Sequence, residues 1–302
     1  MFTGIASAYR PEGDLIFTDT NRDFLSSPEK LAKAMTEGRI LEAPVTRCSN
    51  SLDLTVELAA SGLTGVIVKN EITFEPDGGP VKDIAAITRV GKPVCFKVTR
   101  IENKVAYLSR REAQREAYAN YLSGLNPGDI IPAKVTHLEH FGAFVDIGCG
   151  MVSLLPIDCV SVSRISHPAD RLSVGTEFLT VVRGIERGAD GLPMRFFVSR
   201  KELLGTWEQN AALFDVGQTV TGIVRSVESY GVFIELTPNL AGLAEYRSDV
   251  TQGQAAAVYI KSLIPEKMKV KLVIVDPYRG IPPKPLPHSF LPEDTLHIHR
   301  WR

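Results

Sequence analysis

Two aromatic pairs are placed where they could do chemistry. Phe141 is followed three residues later by Phe144 in Phe141-Gly142-Ala143-Phe144-Val145, and Tyr230 by Phe233 in Tyr230-Gly231-Val232-Phe233-Ile234. Two rings held side by side at a surface make a platform on which unpaired bases stack. The other reading is a pair of core rings closing the end of a barrel, and the residues alone leave both open. Alternation along a strand gives each side chain a direction. Ala143, Val145 and Ile147 share one face, as do Val232, Ile234 and Leu236, so these apolar sets point inward. Phe144 and Phe233 then stand on the outer face, beside Asp146 and Glu235. Gly142 and Gly231 permit a bulge or bend that would bring Phe141 and Tyr230 round to that face.

Stacking binds weakly unless phosphate charge is neutralised nearby. Lys134 alternates outward from Ala133 and Val135, and Arg195 and Arg200 belong to the last strand of the same segment. Lys267, Lys269 and Lys271 recur at period two, which places them on one strand face. His140, next to Phe141, is a further candidate contact. The alternative for the lysine row is a solvated edge strand that lysines protect from pairing. The chain as a whole supplies no pull on a polyanion, since 34 Lys+Arg face 35 Asp+Glu in 302 residues. Any attraction to phosphate must come from local patches.

Other chemistry finds little support. The sequence has no phosphate loop, no GxGxxG, HExxH or GxSxG and no paired CxxC, so no catalytic residue and no cofactor is expected. Cys48, Cys95, Cys149 and Cys159 are far apart and read as buried thiols, with neither zinc-site spacing nor the density of a disulfide scaffold. His297 and His299 share a face, but two ligands make a poor metal site, and none is expected. No apolar run reaches the ~18 residues of a membrane helix, and the N-terminus lacks a leader pattern, so a cytoplasmic protein without a membrane partner is expected.

The elements that must position these residues come from a repeat. Gly128-Asp129-Ile130-Ile131-Pro132-Ala133-Lys134-Val135 precedes the first aromatic pair, and Gly217-Gln218-Thr219-Val220-Thr221-Gly222-Ile223-Val224 precedes the second at the same distance. A fainter copy opens at Gly38 and ends in Tyr107-Leu108-Ser109-Arg110, which matches Phe197-Val198-Ser199-Arg200. Short runs of Val, Ile and Phe broken by Gly, Pro and Asp predict about five strands per copy. In copy two they are expected near residues 130–138, 143–148, 151–156, 177–186 and 194–199, with an irregular insertion near 157–175. Five antiparallel strands in so short a unit bury one face by closing into an OB-type barrel, an all-β architecture. A sandwich spanning several repeats is the alternative. Tyr118 and Trp207 each precede the next opening glycine by ten residues, within short helical linkers that they would anchor against a barrel. Ser26-Ser27-Pro28-Glu29 reads as a helix start leading into Leu31, Ala34 and Met35. A tail holding Pro277, Pro282, Pro283, Pro285, Pro287 and Pro292 is expected to be extended or disordered.

With the aromatic motifs, the opening Gly128 and Gly217, Ser166-His167-Pro168 before Gly175, and the closing Leu/Val-Ser-Arg pattern in view, the chain resembles the S1-type RNA-binding domain of small-subunit ribosomal protein S1 and its bacterial relatives. The resemblance covers roughly residues 36–277. It implies an N-terminal extension with a helix (1–35), a degenerate S1-like OB domain (36–112), a helical linker (113–127), an S1 domain (128–201), a second linker (202–214), a second full S1 domain (215–277) and the Pro-rich tail (278–302). It also implies that Phe141 with Phe144, and Tyr230 with Phe233, stack on bases, and that Arg195 and Lys269 occupy the family's basic position on the last strand. With Lys134, His140, Arg200 and Lys271 these form the expected RNA-binding set. A histidine common in the family after the third strand is replaced by Pro156 and Glu245. Copy one carries Ser51, Leu54, Val68 and Val105 at the corresponding positions and is expected not to bind RNA there. Degenerate first repeats of the family can dock on protein, so the resemblance implies for copy one either a protein-binding barrel, with small-subunit ribosomal proteins as the expected partner, or a purely structural one. The implied function is non-catalytic binding of single-stranded RNA on the ribosome in translation. The alternative is a scaffold that docks on a ribosome or an RNA-decay nuclease.

Overall fold

The computed structural model describes residues 9–58, 61–76, 78–278 and 289–291. Most of the proline-rich tail, with His297 and His299, lies outside them. Two short helices lead the chain, α1 (Asp19–Phe24) and α2 (Pro28–Glu37). The cap of α2 is Ser27, one residue beyond the first serine of the predicted start, and it accepts from the Lys30 N–H. Pro28 takes the first helical position, where its missing N–H costs nothing.

Three closed five-stranded barrels follow. The first is built from β1 (Leu41–Cys48), β2 (Leu54–Glu57), β3 (Thr64–Ile67), β4 (Pro93–Glu102) and β5 (Val105–Ser109), with α3 (Asp83–Ile87) between β3 and β4. Helix α4 (Arg110–Asn120) leads to β6 (Ile130–Glu139), β7 (Gly142–Asp146), β8 (Val152–Pro156), the short α5 (Ile157–Val160), β9 (Glu177–Arg187) and β10 (Pro193–Ser199). Helix α6 (Trp207–Ala211) leads to β11 (Thr219–Glu228), β12 (Gly231–Thr237), β13 (Leu240–Ala244), β14 (Ala255–Ile264) and β15 (Lys269–Pro277). Each barrel has the same order, with its third strand paired in parallel to its fifth. The five strands expected in copy two fall within two residues of their predicted bounds. Closure removes the free edges that would leave backbone groups unpaired.

The chain divides into two compact units, residues 1–137, 144–154 and 174–198 in one, and residues 138–143, 155–173 and 199–302 in the other. In the first unit Tyr118 anchors α4, its hydroxyl donating to the Pro193 carbonyl at 2.8 Å. In the second, Trp207 packs into the apolar core of the third barrel with Val224, Val232 and Ile234. Three of the four cysteines are buried, while Cys48 is only half-buried.

The segment without visible periodicity, residues 9–16, is tied down by carboxylates. Buried Glu12 accepts from Arg110 Nε at 2.6 Å and Nη2 at 3.0 Å, and from the Cys95 N–H at 3.0 Å. Arg89 lies 3.3 Å away on the same carboxylate. The Glu12 N–H donates to Asp146 at 2.7 Å. Burial works against the Glu12 charge, but Arg110 and Arg89 outweigh it and hold the carboxyl below its ordinary range. Asp146 is pushed up to about 7 by burial and then by the Glu12 charge. Glu42 Oε2 accepts from the N–H groups of Gly13, Leu15 and Ile16, at 3.0, 3.0 and 3.1 Å. Burial, followed by Glu12, pushes Glu42 up to about 8.

A carboxyl whose pKa is higher folded than unfolded keeps a proton that the unfolded chain has lost, so stability falls as pH rises between the two values. For Glu42 that window runs from about 4, the unfolded value, to about 8. The melting temperature is expected to be lower at the top of this window than in its middle, and Glu42→Gln, neutral at every pH, should flatten the decline. Parallel wild-type and variant profiles in a calorimetric pH series would refute this role.

Candidate nucleic-acid interface

The outer faces of the second and third barrels carry the aromatic residues. Ala143, Val145, Ile147, Val232 and Ile234 are buried, as alternation requires, and Phe144 and Phe233 are half-buried on the opposite face. Phe141 and Tyr230 sit on the preceding turns, 57% and 68% exposed. In the third barrel the expected bulge is not at the glycine but on the partner strand, between Val224 and Ser226. Gly142 and Gly231 serve close packing instead, since an added Cβ would lie 2.5 Å from the Leu155 and Ala244 carbonyl oxygens, respectively.

In the third barrel Tyr230 meets Phe233 edge-on, with ring centroids 6.2 Å apart. Register extends this patch across the sheet. Phe233 pairs with Leu243 and Leu243 with Lys271, so a ring, an aliphatic side chain and an ammonium share one outward row. In the second barrel the repeat places Phe144, Leu154 and Phe197 in that row, with Leu154 paired to Phe197. His137, absent from the expected set, stacks on Phe144 with centroids 6.3 Å apart and planes 24° from parallel. Two residues past inward Val135, strict alternation would turn it inward, and copy three has a register shift at the equivalent place, between Val224 and Ser226, so periodicity alone could not have found it. His140 is exposed and meets His167 edge-on at 4.9 Å.

The expected cations separate into three groups. Arg195 is 72% exposed at its side chain and lies 3.6 Å from Glu186, a solvent-screened pair. Lys269 and Lys271 are exposed on β15, whereas Lys267 lies on the 3₁₀ turn before the strand and does not share their face. Lys134 is committed within the protein, 3.3 Å from Asp14 and 2.8 Å from Glu177. Arg200 is the clearest departure: it is 1% exposed and cannot meet an RNA strand on the barrel surface. It lies just past the end of β10, at the start of the following 3₁₀ turn, and so is not part of the strand's outward row.

Copy one also departs from the sequence alignment. Val45 pairs with Val56 and Cys48 with Leu54, leaving five residues, 49–53, in the turn. In copy three Val224 pairs with Ile234 and Val227 with Val232, with four residues, 228–231, between the latter two, the outer two themselves paired. The extra residue moves the register by one, so Thr55, not Leu54, occupies the place of Phe233. Leu54 points into the core and is fully buried. The outward row there is Thr55, Val66 and Tyr107, with the Arg100 guanidinium 4.0 Å from the Tyr107 ring centroid. Among the described residues no group of three or more His, Cys, Asp or Glu is placed to hold a metal ion. No described helix is long and apolar enough to cross a membrane.

Three five-stranded barrels of OB topology, two of them with a phenylalanine on the outward face of the second strand, define a repeat protein of the OB fold. Residues 125–194 match the S1 RNA binding domain. The small ribosomal subunit protein bS1 of Staphylococcus haemolyticus is 30% identical over 72% of this chain and 53% of its own length. That of Rickettsia conorii is 29% identical over 73% of this chain and 40% of its own. A solved multidomain protein with nucleic acid binding domains from Streptococcus pneumoniae aligns with 78% of this chain and 73% of its own at 14% identity, with a TM-score of 0.24. The chain carries an S1 RNA-binding domain within residues 125–194 and is similar to bS1 proteins over most of its length, and it spans about half or less of the length of these relatives.

Proposed function

We propose that the chain binds single-stranded RNA through its second and third barrels and acts with the small ribosomal subunit in translation, as a binding protein without catalysis. The observation that carries this reading is the outward row of Phe233, Leu243 and Lys271, which offers a stacking surface and a phosphate partner together. The similarity to bS1 proteins supports the ribosomal and cytoplasmic setting. Phe141, Phe144, Tyr230 and Phe233 are the proposed stacking residues, with His140 beside them. Arg195, Lys269 and Lys271 are the proposed phosphate contacts. Lys134 belongs to the set only if RNA displaces its carboxylate partners.

The first barrel has no ring at the place of Phe233, and its proposed role is docking on a small-subunit protein. Stacking uses base faces that a duplex hides. Fluorescence anisotropy with matched oligonucleotides is therefore expected to give tighter binding to the single strand. Equal or tighter binding to the duplex would refute the stacking model and leave the scaffold reading in its place.

A further inference from the structure

Three consecutive carbonyls between the second and third repeats are each claimed by a different part of the chain. Residues Lys201–Leu204 form a 3₁₀ turn, and the last carbonyls of so short a helix find no partner within it. The Leu204 carbonyl accepts from Asn210 Nδ2 at 2.8 Å, and the Gly205 carbonyl from Asn239 Nδ2 at 2.6 Å. Asn210 is buried in α6, where it also donates to the Thr206 carbonyl and accepts from the Thr237 hydroxyl at 2.7 Å. Thr237 ends β12 and Asn239 lies in the turn to β13, so folded elements of the third repeat hold the linker in place. The Leu203 carbonyl differs. Its donor is the Phe290 N–H, at 2.8 Å, from a segment that belongs to none of the barrels.

Phe290 brings its ring as well. A Cβ added at Gly205 would lie 2.3 Å from Phe290 Cδ2 and 2.6 Å from Cε2, so the ring takes the place of a side chain there. Gly205 has a φ of +72°, which residues with a Cβ rarely adopt. Leu203 and Leu204 before it are buried, whereas Phe290 is half-buried and Leu291 exposed, so the segment lies against the linker from outside. Both halves of this seat exist without the segment that fills it. The 3₁₀ turn presents the carbonyl, and a glycine whose own carbonyl Asn239 fixes presents the hollow. A site so preorganised loses little freedom on binding.

We propose that Leu203–Gly205 is a docking site for a peptide segment carrying a phenylalanine, and that the chain's own Ser289–Leu291 segment fills it in cis. The Leu203 carbonyl reads the peptide backbone, and the Gly205 hollow selects a ring at the residue whose N–H is read. While the tail is seated, it shields the linker from other segments of the same kind. The site does not depend on the stacking surface, since Asn239 and Tyr230 flank opposite ends of β12.

The test uses the full chain carrying Phe290→Ala and a fluorophore-labelled peptide of residues 286–294, read by fluorescence anisotropy. The peptide is expected to bind this variant saturably. It should bind the wild type about tenfold more weakly, because a tail tethered at an effective concentration of ~1 mM competes with a peptide of ~0.1 mM affinity. The same peptide with its phenylalanine replaced by alanine is expected to bind neither protein. Adding Gly205→Ala to the Phe290→Ala chain should abolish binding, and the altered peptide carries the test if that double variant fails to fold. No saturable binding to the Phe290→Ala chain, equal affinity for both proteins, binding that does not need the phenylalanine, or unchanged affinity in a folded Gly205→Ala chain would overturn the proposal. A wild-type dimer that the peptide dissociates would overturn the filling in cis and place the tail of a second copy in the seat.

Discussion

Arg110→Ala is expected to cost about 3–5 kcal/mol of stability in the unit that holds the first barrel, because it leaves the buried Glu12 carboxylate without its main counter-charge. Arg110 also donates to the Ile72 and Gly150 carbonyls at 2.9 and 3.2 Å, so those acceptors lose partners as well. Denaturant unfolding with a probe in the first barrel should read the full loss. The double variant Glu12→Gln/Arg110→Met should recover a large part of it, since a neutral, volume-filling pair removes the uncompensated charge. A loss below about 1 kcal/mol in Arg110→Ala, the range of surface pairs, would show that the N-terminal segment does not depend on this ion pair.

Phe144→Ala is expected to weaken single-stranded RNA binding by about 1–3 kcal/mol while leaving the salt dependence unchanged, because stacking displaces no counterions. Arg195→Ala should do the reverse, flattening the slope of log affinity against log salt by about 0.7 for one phosphate contact. Phe144 is half-buried and stacks on His137, so its truncation should cost less than the ~3–5 kcal/mol of a core phenylalanine. A core-sized stability loss with unchanged affinity of the folded fraction would refute the outward placement of its function.

These two experiments probe different kinds of information in the sequence. The ring positions were legible because alternation has only two outcomes and Ala143, Val145 and Ile147 fix the inward one. Alternation says which side of a barrel wall a residue faces, but not what lies against that side. Asp146 and Glu235 face outward as predicted, yet both are buried, the first under Glu12 and its loop and the second among Arg171 and Arg225. Arg200 was misplaced because it lies past the end of β10, where strand alternation no longer applies, and Lys134 was taken as available when Asp14, 120 residues away in sequence, claims it. Contacts of such separation leave no periodic trace. Residues 9–16 carry none either, because they are held mainly through backbone N–H groups reaching Glu42 and through one glutamate, Glu12.

The additional residue between β1 and β2 bears on how function is transferred between repeats. An ungapped alignment sets Leu54 against Phe233, and a phenylalanine grafted at that column would be driven into a filled core, where overpacking costs about 1–3 kcal/mol. Moving the gap by one column selects Thr55, whose side chain already stands on the outer wall beside Val66. Whether the first repeat can be given a stacking surface by design thus turns on the placement of a single gap.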